Sequence, residues 1–494
     1  MQTRNWIALT TSINIKDFRP ALSVIPVTMH FMPQPIRTTT IITIMWLCLT
    51  ARTCLLKPTV STTAIANVQK KLGQRQVKNK SERRLSALKK PEILSPAGDF
   101  EKMKYAIAYG ADAVYMAGQS FGMRAAAANF SADELRAGIA YAHAQGVKCY
   151  ITVNIIPSNQ DLQTLSEYLA LLQDCGADAI IAADVSVVAL AKKYAPKVPL
   201  HISTQTSILN YEAANFWAEQ GAERIVLARE LSLAEIAEIR AKTPKELEIE
   251  AFVHGAMCIS YSGRCLISQY MTGRDANHGA CAQPCRWKYS LVEEKRPGEY
   301  FPVEEDDRGT YLYNSKDLCM IDHIPELIQA GIDSFKIEGR NKTAYYAAGI
   351  TSAYRRAVDA YCAQPDNFVL PADIREEIGK VSHRNYYTGF YFGSEENGQF
   401  YEDSQYIRDW EVTGLLAQAD DTGHAVFTLK NRFYPGDTLE LLQPGHEPYT
   451  FQVNEVKDDD GNLLSVVHHP EMRFHLSFPF AVAPFAILRK ERKN

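Results

Sequence analysis

Residues 147–184 read "VKCYITVNIIPSNQDLQTLSEYLALLQDCGADAIIAAD", and this stretch contains the repeating unit of the fold. Two short apolar runs, at 147–154 and 178–184, flank a helix-like segment that Gly176 closes just before the second run. Glycine commonly follows the end of a helix, and short apolar runs alternating with helical segments indicate strands of a parallel sheet. The stretch therefore predicts a strand, a helix and a second strand parallel to the first.

The same alternation recurs from residue 92 onward. Strand-like runs occupy residues 92–98, 112–118, 147–154, 178–184, 199–205, 223–230, 247–255 and 333–340. The segments between them carry helix signals, such as Ser131 followed by Glu134 at the spacing of a capping box. Eight such units predict an α/β fold of the (β/α)8 TIM-like barrel type, with a doubly wound open sheet as the alternative.

The rest of the chain is organised around this barrel, which is predicted to cover residues 91–362. A cysteine-rich insertion at 256–330 separates the seventh and eighth strands, and insertions at the top of a barrel usually build its active site. Residues 363–410 are predicted to be an irregular linker. Residues 411–494 show strand-like runs separated by turn signals such as "DTG" and "DDDGN", and predict a small antiparallel β-barrel.

Residues 1–90 form a basic extension that the barrel pattern does not include. They carry fifteen Lys or Arg residues and two acids, so the rest of the chain has 38 basic and 55 acidic side chains. Three interpretations are open: an organelle presequence, a weak signal peptide, or sequence translated from upstream of the true start. The apolar run "IITIMWLCLTARTCLL" is interrupted by Arg52 and is shorter than the roughly 20 residues that span a bilayer, so no stable membrane insertion is expected.

The acidic body argues against a broad electrostatic surface for nucleic acid, although a local basic patch remains open. The cysteine-rich insertion and the small C-terminal barrel, with Lys430 and Arg432, are the candidate sources of such a patch.

The predicted strand ends are unusually polar. In a TIM barrel, catalytic side chains lie at the carboxyl ends of the strands. The polar residues at these ends are Asn154, Asp184, Gln205, Arg229, Glu230, His254, Glu338 and Arg340. The strand ends therefore predict an active site, and the alternative for each residue is that it satisfies backbone groups at the start of a loop.

Four of the chain's ten cysteines lie close together in the insertion, with the spacing C-x6-C-x15-C-x3-C. They are Cys258, Cys265, Cys281 and Cys285. Structural zinc sites usually show two short knuckles, whereas long and uneven spacing is common for iron–sulfur clusters. The spacing favours a cluster, leaves zinc as the alternative, and leaves free structural thiols as a third interpretation.

Hydrolase chemistry has little support in the sequence. The motifs H-E-x-x-H and G-x-S-x-G are both absent. The best remaining catalytic pair for a hydrolase would be a cysteine thiol as nucleophile with His254 as its base. Such a pair would not need four clustered cysteines.

Several motifs together resemble the peptidase U32 family. They are "EAFVHGAMCISYSGRCLIS", "RDANHGACAQPCRWKY", "ILSPAG", "GADAVYMAG", "RELSL", "NSKDL", "KIEGR" and "LKNRFYPGDTLELL". The resemblance runs from about residue 91 to the C-terminus and is strongest to a branch implicated in tRNA hydroxylation. It implies formation of 5-hydroxyuridine at the wobble uridine, with prephenate as co-substrate and a 4Fe–4S cluster on the four cysteines. Relatives hydroxylate a 23S rRNA cytidine or act in ubiquinone hydroxylation, and others were described as collagenases.

The resemblance and the polar strand ends together suggest roles for individual residues. Arg340 and Arg229 are expected to anchor the carboxylates of prephenate, because a guanidinium binds a carboxylate in a bidentate fork. The proton-handling candidates are His254, Glu338 and Glu230, and Gln205 and Asn154 are expected to orient the ligand. The alternative is that the pairs Arg340–Glu338 and Arg229–Glu230 are purely structural.

The expected partners follow from this function. They are tRNA, prephenate and an electron-transfer or accessory protein, and the expected location is the cytoplasm. An organelle or the exterior would replace the cytoplasm if residues 1–90 were a working presequence. Two other functions remain open, a secreted peptidase and a cluster-bearing scaffold that assists another enzyme.

Overall fold

The structure is a computed structural model that describes residues 89–123, 129–258, 261, 265–287, 290–291, 301–302, 316–393 and 406–492. Almost all of the predicted extension, 1–90, and its apolar run lie outside the described residues. Within the described ranges, no helix combines the length and the apolar character needed to cross a membrane.

Twelve short strands precede the C-terminal domain in the described chain. In order they are β1 (Glu92–Pro96), β2 (Ala113–Met116), β3 (Lys148–Val153), β4 (Ala179–Ala182), β5 (Leu200–Ile202), β6 (Ala222–Val226), β7 (Glu248–Ala256), β8 (Ser290–Leu291), β9 (Phe301–Pro302), β10 (Asp317–Cys319), β11 (Ser334–Ile337) and β12 (Tyr386–Tyr387). Strands β1 to β7 pair in sequence order, all parallel, and β11 pairs with both β7 and β1. This closes an eight-stranded parallel barrel and confirms the predicted TIM-like fold.

Helices cover the outside of the barrel, and one short helix lies in the insertion. In chain order they are α1 (Phe100–Ala108), α2 (Ala132–Ala144), α3 (Leu162–Asp174), α4 (Val185–Tyr194), α5 (Tyr211–Glu219), α6 (Leu233–Lys242), α7 (Ile267–Thr272), α8 (Ile324–Gln329), α9 (Ala344–Ala363) and α10 (Ala372–Gly379). Helix α2 begins with the predicted capping box, in which Ser131 and Glu134 satisfy each other's backbone N–H groups. Gly176 follows α3 with φ of 78°, a conformation that favours glycine.

The insertion adds structure above β7 rather than a continuous loop. It contributes α7, the β8–β9 hairpin and β10, which runs antiparallel to the end of β7. Helix α8 then leads into β11 as a regular barrel helix would.

The next segment, 363–410, was predicted to be irregular, and that prediction is wrong for its described part: α10 buries Ile374 and Ile378, and β12 pairs with β10. A helix this short carries too few apolar residues for its periodicity to stand out in the sequence.

The C-terminal domain is a curled six-stranded antiparallel sheet, as predicted. Its strands are β13 (Trp410–Ala419), β14 (His424–Leu429), β15 (Thr438–Leu442), β16 (Tyr449–Gln452), β17 (Arg473–Ser477) and β18 (Ile487–Glu491). Their order in the sheet is β16-β15-β18-β13-β14-β17. Buried aromatic side chains, including Phe427, Phe433 and Phe474, fill its core.

One buried arginine joins this sheet to the barrel. Arg489 on β18 is fully buried, and its guanidinium donates to both carboxylate oxygens of Glu377 on α10 at 2.6 and 2.7 Å. It also donates to Glu440 on β15 and to the hydroxyl of Tyr345 on α9. A bidentate, fully enclosed ion pair fixes orientation as well as contact, so the sheet is held rigidly against α9 and α10.

A network of charges fills the floor of the barrel, at the N-terminal ends of the strands. Arg224 on β6 forms ion pairs with Glu92, Glu248 and Glu250 at 2.6 to 3.0 Å. Lys336 on β11 adds a 2.7 Å pair with Glu250, and Glu250 is fully buried. Every cation of this network therefore has a carboxylate partner.

Candidate active site

A narrow cavity of about 40 Å3 lies inside the mouth of the barrel, where the strands end. Its lining includes five predicted residues: Asn154, Gln205, Arg229, Glu338 and Arg340. They come from four different strands, β3, β5, β6 and β11, that converge only because the barrel closes. The structure thus brings five of the seven predicted catalytic and substrate-binding residues to one site, and their roles stay predictions.

Two amides and a hydroxyl form a fixed network on one wall of this cavity. The amide nitrogen of Asn154 and the hydroxyl of Ser203 both donate to Gln205 Oε1, at 2.7 and 2.6 Å. The side-chain oxygen of Gln205 thus accepts from two donors. Its NH2 group donates to no other described residue and is available to a ligand. The wall therefore presents hydrogen-bond donors, which suits an anionic ligand.

Arg229 is held in place by neutral groups. Its guanidinium lies 4.0 Å above the Phe252 ring and donates through Nη1 to the carbonyl oxygen of Ala256 at 2.8 Å. Its Nε has no hydrogen-bond partner in the described chain. The alternative pairing with Glu230 is not formed, since the described residues contain no ion pair of Arg229.

Arg340 lies deeper in the mouth and is only 3% exposed. Its Nη1 donates to the hydroxyl of Thr152 at 3.1 Å, and its guanidinium lies 5.9 Å from the centre of the Tyr115 ring. A guanidinium can bind a carboxylate in a bidentate fork, so Arg340 in the mouth is a candidate for that role.

Glu338 and Glu230 occupy different places. Glu338 lines the mouth, and its Oε2 accepts a 3.3 Å hydrogen bond from the hydroxyl of Tyr115. Glu230 is half-buried in the turn after β6 and does not line the cavity, although burial raises its pKa. Of the two, only Glu338 can reach a ligand in the mouth.

His254 does not reach the mouth, although the sequence places it at the end of β7. Phe252 pairs with Lys336, but His254 pairs with the very next residue of β11, Ile337, so Val253 is an extra residue in the ladder. Such a bulge reverses the side to which the following side chain points. His254 therefore faces outward with Ile337, while Phe252 and Lys336 face the lumen.

Tyrosines enclose His254 on the outside of the barrel. Its ring contacts Tyr346 and Tyr354 of α9 and Tyr386 of β12, and the hydroxyls of Tyr354 and Tyr386 lie 3.5 and 3.4 Å from its nitrogens. Burial, together with His383 and Lys342, lowers the pKa of His254 to about 3. The imidazole is thus neutral at physiological pH and lines neither cavity, although the backbone N–H of Glu338 donates to the carbonyl oxygen of His254 at 2.8 Å.

Asp184, another polar strand end, has a structural role. Its carboxylate accepts from the backbone N–H of Ser186 and caps the N-terminus of α4. It does not line the mouth, so here the loop-start alternative holds.

A second cavity of about 350 Å3 adjoins the mouth, because Met123 and Glu338 line both. Three of the four predicted thiols line it, Cys258, Cys281 and Cys285, whereas Cys265 does not. We call it the thiol cavity. All eight cysteines of the described chain are free of disulfides.

The donor set of the thiol cavity bears on the predicted metal group. No three Cys, His, Asp or Glu side chains of the described chain converge closely enough to hold one metal ion. Thiols spread around a cavity instead fit a larger group approached from separate loop segments, as an iron–sulfur cluster is. One thiol already has an outer contact, since Gln283 donates its backbone N–H to Cys281 Sγ at 3.3 Å. Hydrogen bonds of this kind tune cluster sulfurs.

Several site residues escaped the sequence interpretation. Lys336 lines the mouth above Glu250, and burial lowers its pKa although Glu250 opposes the shift. Lys336, Glu338 and Arg340 alternate along "KIEGR", so strand periodicity was the signal that could have identified the lysine. Lys342, Tyr406 and Arg408 line the thiol cavity, and nothing local in the sequence indicates that they meet.

Similarity to known proteins covers most of the chain. The model of peptidase family U32 matches residues 98–400, and the model of the C-terminal domain of that family matches residues 408–489. The chain is 40% identical over 405 residues to the tRNA hydroxylation protein P1 of Bacillus subtilis (strain 168), covering 81% of this chain and 95% of that protein.

Two proteins of Escherichia coli (strain K12) are also similar. The tRNA hydroxylation protein P is 38% identical over 397 residues, which cover 72% of this chain and 86% of that protein. The 23S rRNA 5-hydroxycytidine synthase is 40% identical over 286 residues, which cover 58% of this chain and 42% of the synthase.

Proposed function

This chain belongs to peptidase family U32, and on that premise we propose that it is an RNA hydroxylase that forms 5-hydroxyuridine at the wobble uridine of tRNA. Relatives that match most of its length are named for tRNA hydroxylation, and a further relative is named for hydroxylation of an rRNA cytidine. The proposal places the reaction in the cytoplasm, where tRNA is found.

One observation carries the proposal: the mouth, lined by Arg229 and Arg340, and the thiol cavity adjoin through Glu338 and Met123. Hydroxylation of a pyrimidine needs a redox cofactor, because no ordinary side chain supplies that chemistry. A thiol-lined cavity that would hold such a cofactor, directly beside arginines that would bind an organic anion, supports a prephenate-dependent hydroxylation.

Prephenate, as the proposed co-substrate, would place a carboxylate in the mouth. Arg229 and Arg340 would bind it, and the NH2 group of Gln205, positioned by Asn154 and Ser203, would donate a further hydrogen bond. The mouth is narrow, so the ring of prephenate would extend into the larger thiol cavity. Glu338, which borders both cavities and accepts from Tyr115, is the candidate to take or give a proton there.

The cofactor in this proposal is a 4Fe–4S cluster held by Cys258, Cys265, Cys281 and Cys285, with zinc as the alternative. When bound, the cluster would supply one-electron redox chemistry. An electron-transfer protein would then be needed as a partner. The backbone N–H of Gln283 would hydrogen-bond the Cys281 sulfur in either case.

Two other functions make different predictions. Hydroxylation of a 23S rRNA cytidine would use the same two cavities and differs only in the RNA. Peptide hydrolysis by a thiol with His254 as its base has no geometric support, because His254 contacts tyrosines and lines neither cavity.

The test is expression of the chain in an Escherichia coli strain lacking its own tRNA hydroxylation proteins, followed by mass spectrometry of tRNA nucleosides. We expect 5-hydroxyuridine derivatives to return, and to disappear again in a host that cannot make prephenate. The Arg340→Ala variant should be inactive while it keeps its iron and its absorbance near 400 nm. The Cys281→Ser variant should lose both the absorbance and the activity.

A parallel strain lacking the 23S rRNA 5-hydroxycytidine synthase separates the two RNA substrates. Restoration of rRNA hydroxycytidine, without tRNA hydroxyuridine, would replace the tRNA proposal with the rRNA function. An iron-loaded protein that restores neither nucleoside would contradict the hydroxylase proposal altogether.

A further inference from the structure

Residues 406–408 form a short antiparallel bridge with residues 382–384 at the edge of the thiol cavity. His383 donates its backbone N–H to Ile407 at 3.2 Å, and Ile407 donates back to His383 at 2.8 Å. In such a pair the flanking residues project to the side opposite Ile407. Tyr406, Arg408 and Arg384 therefore share one face of the bridge.

Three cations surround one aromatic ring on that face. Lys342 Nζ lies 4.3 Å from the centre of the Tyr406 ring, and the guanidinium carbons of Arg384 and Arg408 lie at 4.7 and 5.7 Å. Lys342 is tied to the same bridge because its Nζ donates to the carbonyl oxygen of Ser382 at 3.3 Å. We call Lys342, Arg384, Tyr406 and Arg408 the cationic rim.

The rim borders the thiol cavity directly. Lys342, Tyr406 and Arg408 line that cavity, and the only carboxylate among its described lining residues is Glu338. Arg408 is exposed and makes no ion pair with any described residue. The chain beyond residue 90 carries 38 basic and 55 acidic side chains, so this positive group stands against an acidic background.

A basic patch in the C-terminal sheet is a weaker candidate for an anion. The charge of Lys430 is paired with both carboxylate oxygens of Glu471, at 2.8 and 3.0 Å. Arg432 lies over Tyr434 at 5.7 Å but has no second cation at that ring. Convergent positive charge is thus a property of the rim and not of this patch.

We propose that the cationic rim binds the backbone phosphates of an RNA strand and so presents the adjacent nucleotide to the thiol cavity. The inference rests on the proposed function, because it takes RNA as the substrate. Sequence-independent binding of RNA comes mainly from Lys and Arg contacts to phosphates, and an aromatic ring among such cations keeps them close together. Among the described lining residues of the thiol cavity, Lys342 and Arg408 are the cations that can form such contacts.

A different role for the rim is to balance the negative charge of the thiolates. The two roles differ in what a variant loses: balancing charge would affect retention of the metal group, whereas phosphate binding would affect RNA affinity and its dependence on salt.

The test compares two double variants of equal charge. Lys342→Ala with Arg408→Ala removes two rim cations, and Lys192→Ala with Lys193→Ala removes two exposed cations from the last turn of α4. Lys193 is a close match because it too lies over a tyrosine, at 4.9 Å from the Tyr194 ring. The measurements are iron content and the Kd for an unmodified tRNA transcript over a range of KCl concentrations.

We expect the rim variant to keep its iron and to bind the transcript roughly tenfold more weakly at moderate salt. Its plot of log K against log [KCl] should be shallower by about 1.4, since each lost contact to a single-stranded phosphate removes about 0.7. The α4 variant should match the unaltered chain in both measurements.

Three outcomes would overturn the inference. Equal affinity and equal salt dependence in the rim variant would show that RNA does not bind there. Loss of iron with unchanged RNA affinity would assign the rim to charge balance. Failure of the unaltered, iron-loaded chain to bind the transcript would remove the proposed function, and the inference with it.

Discussion

Strand β6 carries an arginine at the floor of the barrel, and the turn that follows it carries another at the mouth. Arg224, at the floor, contacts three carboxylates, whereas Arg229, at the mouth, contacts a carbonyl oxygen and a phenyl ring. A buried cation surrounded by carboxylates is neutralised and serves the fold. A cation positioned by neutral groups keeps its charge for a ligand.

The largest expected effect is on the floor. Replacement of Arg224 by Met removes the cation that Glu92, Glu248 and Glu250 share and leaves the buried Glu250 with Lys336 alone, and we expect a loss of about 3–5 kcal/mol in the free energy of unfolding. Urea denaturation followed by circular dichroism measures it. An unchanged midpoint would show that the network contributes no stability and would remove the contrast with the mouth.

Replacement of the arginine at the mouth should reduce activity rather than stability. Arg229→Ala removes a charged hydrogen-bond donor, worth about 1.5–3 kcal/mol, so we expect kcat/KM for prephenate to fall roughly ten- to a hundredfold. The urea midpoint should change little, because the lost protein contacts are one carbonyl hydrogen bond and one ring. A variant that unfolds as readily as Arg224→Met would mean that both arginines are structural.

Acid should destabilise the protein through two buried histidines on opposite sides of the barrel wall. Burial lowers the pKa of His254 to about 3 and also lowers the pKa of His201 in the lumen. Below pH 6.5 the two histidines bind protons in the unfolded chain but stay neutral in the folded chain. The free energy of unfolding therefore falls as pH falls, by about 1.4 kcal/mol per pH unit for each histidine.

The His254→Asn variant isolates one of these contributions. Its free energy of unfolding, measured by urea denaturation between pH 7 and pH 5, should depend on pH less steeply than that of the unaltered chain. An identical slope would mean that His254 takes up a proton in the folded state.

The smallest effect is expected at Gln205. Gln205→Met keeps the length of the side chain but removes the oxygen that accepts from Asn154 and Ser203 together with the NH2 group that would donate to a carboxylate, and loss of that donor is worth about 0.5–1.5 kcal/mol. We expect kcat/KM for prephenate to fall roughly two- to tenfold, with unchanged iron content. An unaltered rate would place the ligand away from this wall of the mouth.

Local pattern was enough to predict the barrel, and with it five residues of the mouth. The alternation of strands and helices is visible in short stretches of sequence. The ends of β3, β5, β6 and β11 could therefore be located from the sequence. The wrong position predicted for His254 has its cause in strand pairing. Val253 is an extra residue only in comparison with the partner strand β11, so the sequence of β7 alone does not reveal the bulge. The cationic rim was missed for the same reason, since Lys342, Arg384 and Arg408 meet only in the folded chain.

The contact of Arg489 with Glu377 has a consequence for how this architecture can be inherited. A barrel that lost the C-terminal sheet would lose Arg489 as the partner of Glu377 and would expose to water the apolar surface on which Leu442 and Ile487 now pack. Gene truncation near residue 410 is therefore not a neutral step, because it uncovers an apolar face of the barrel. In this chain the two domains are heritable as one unit.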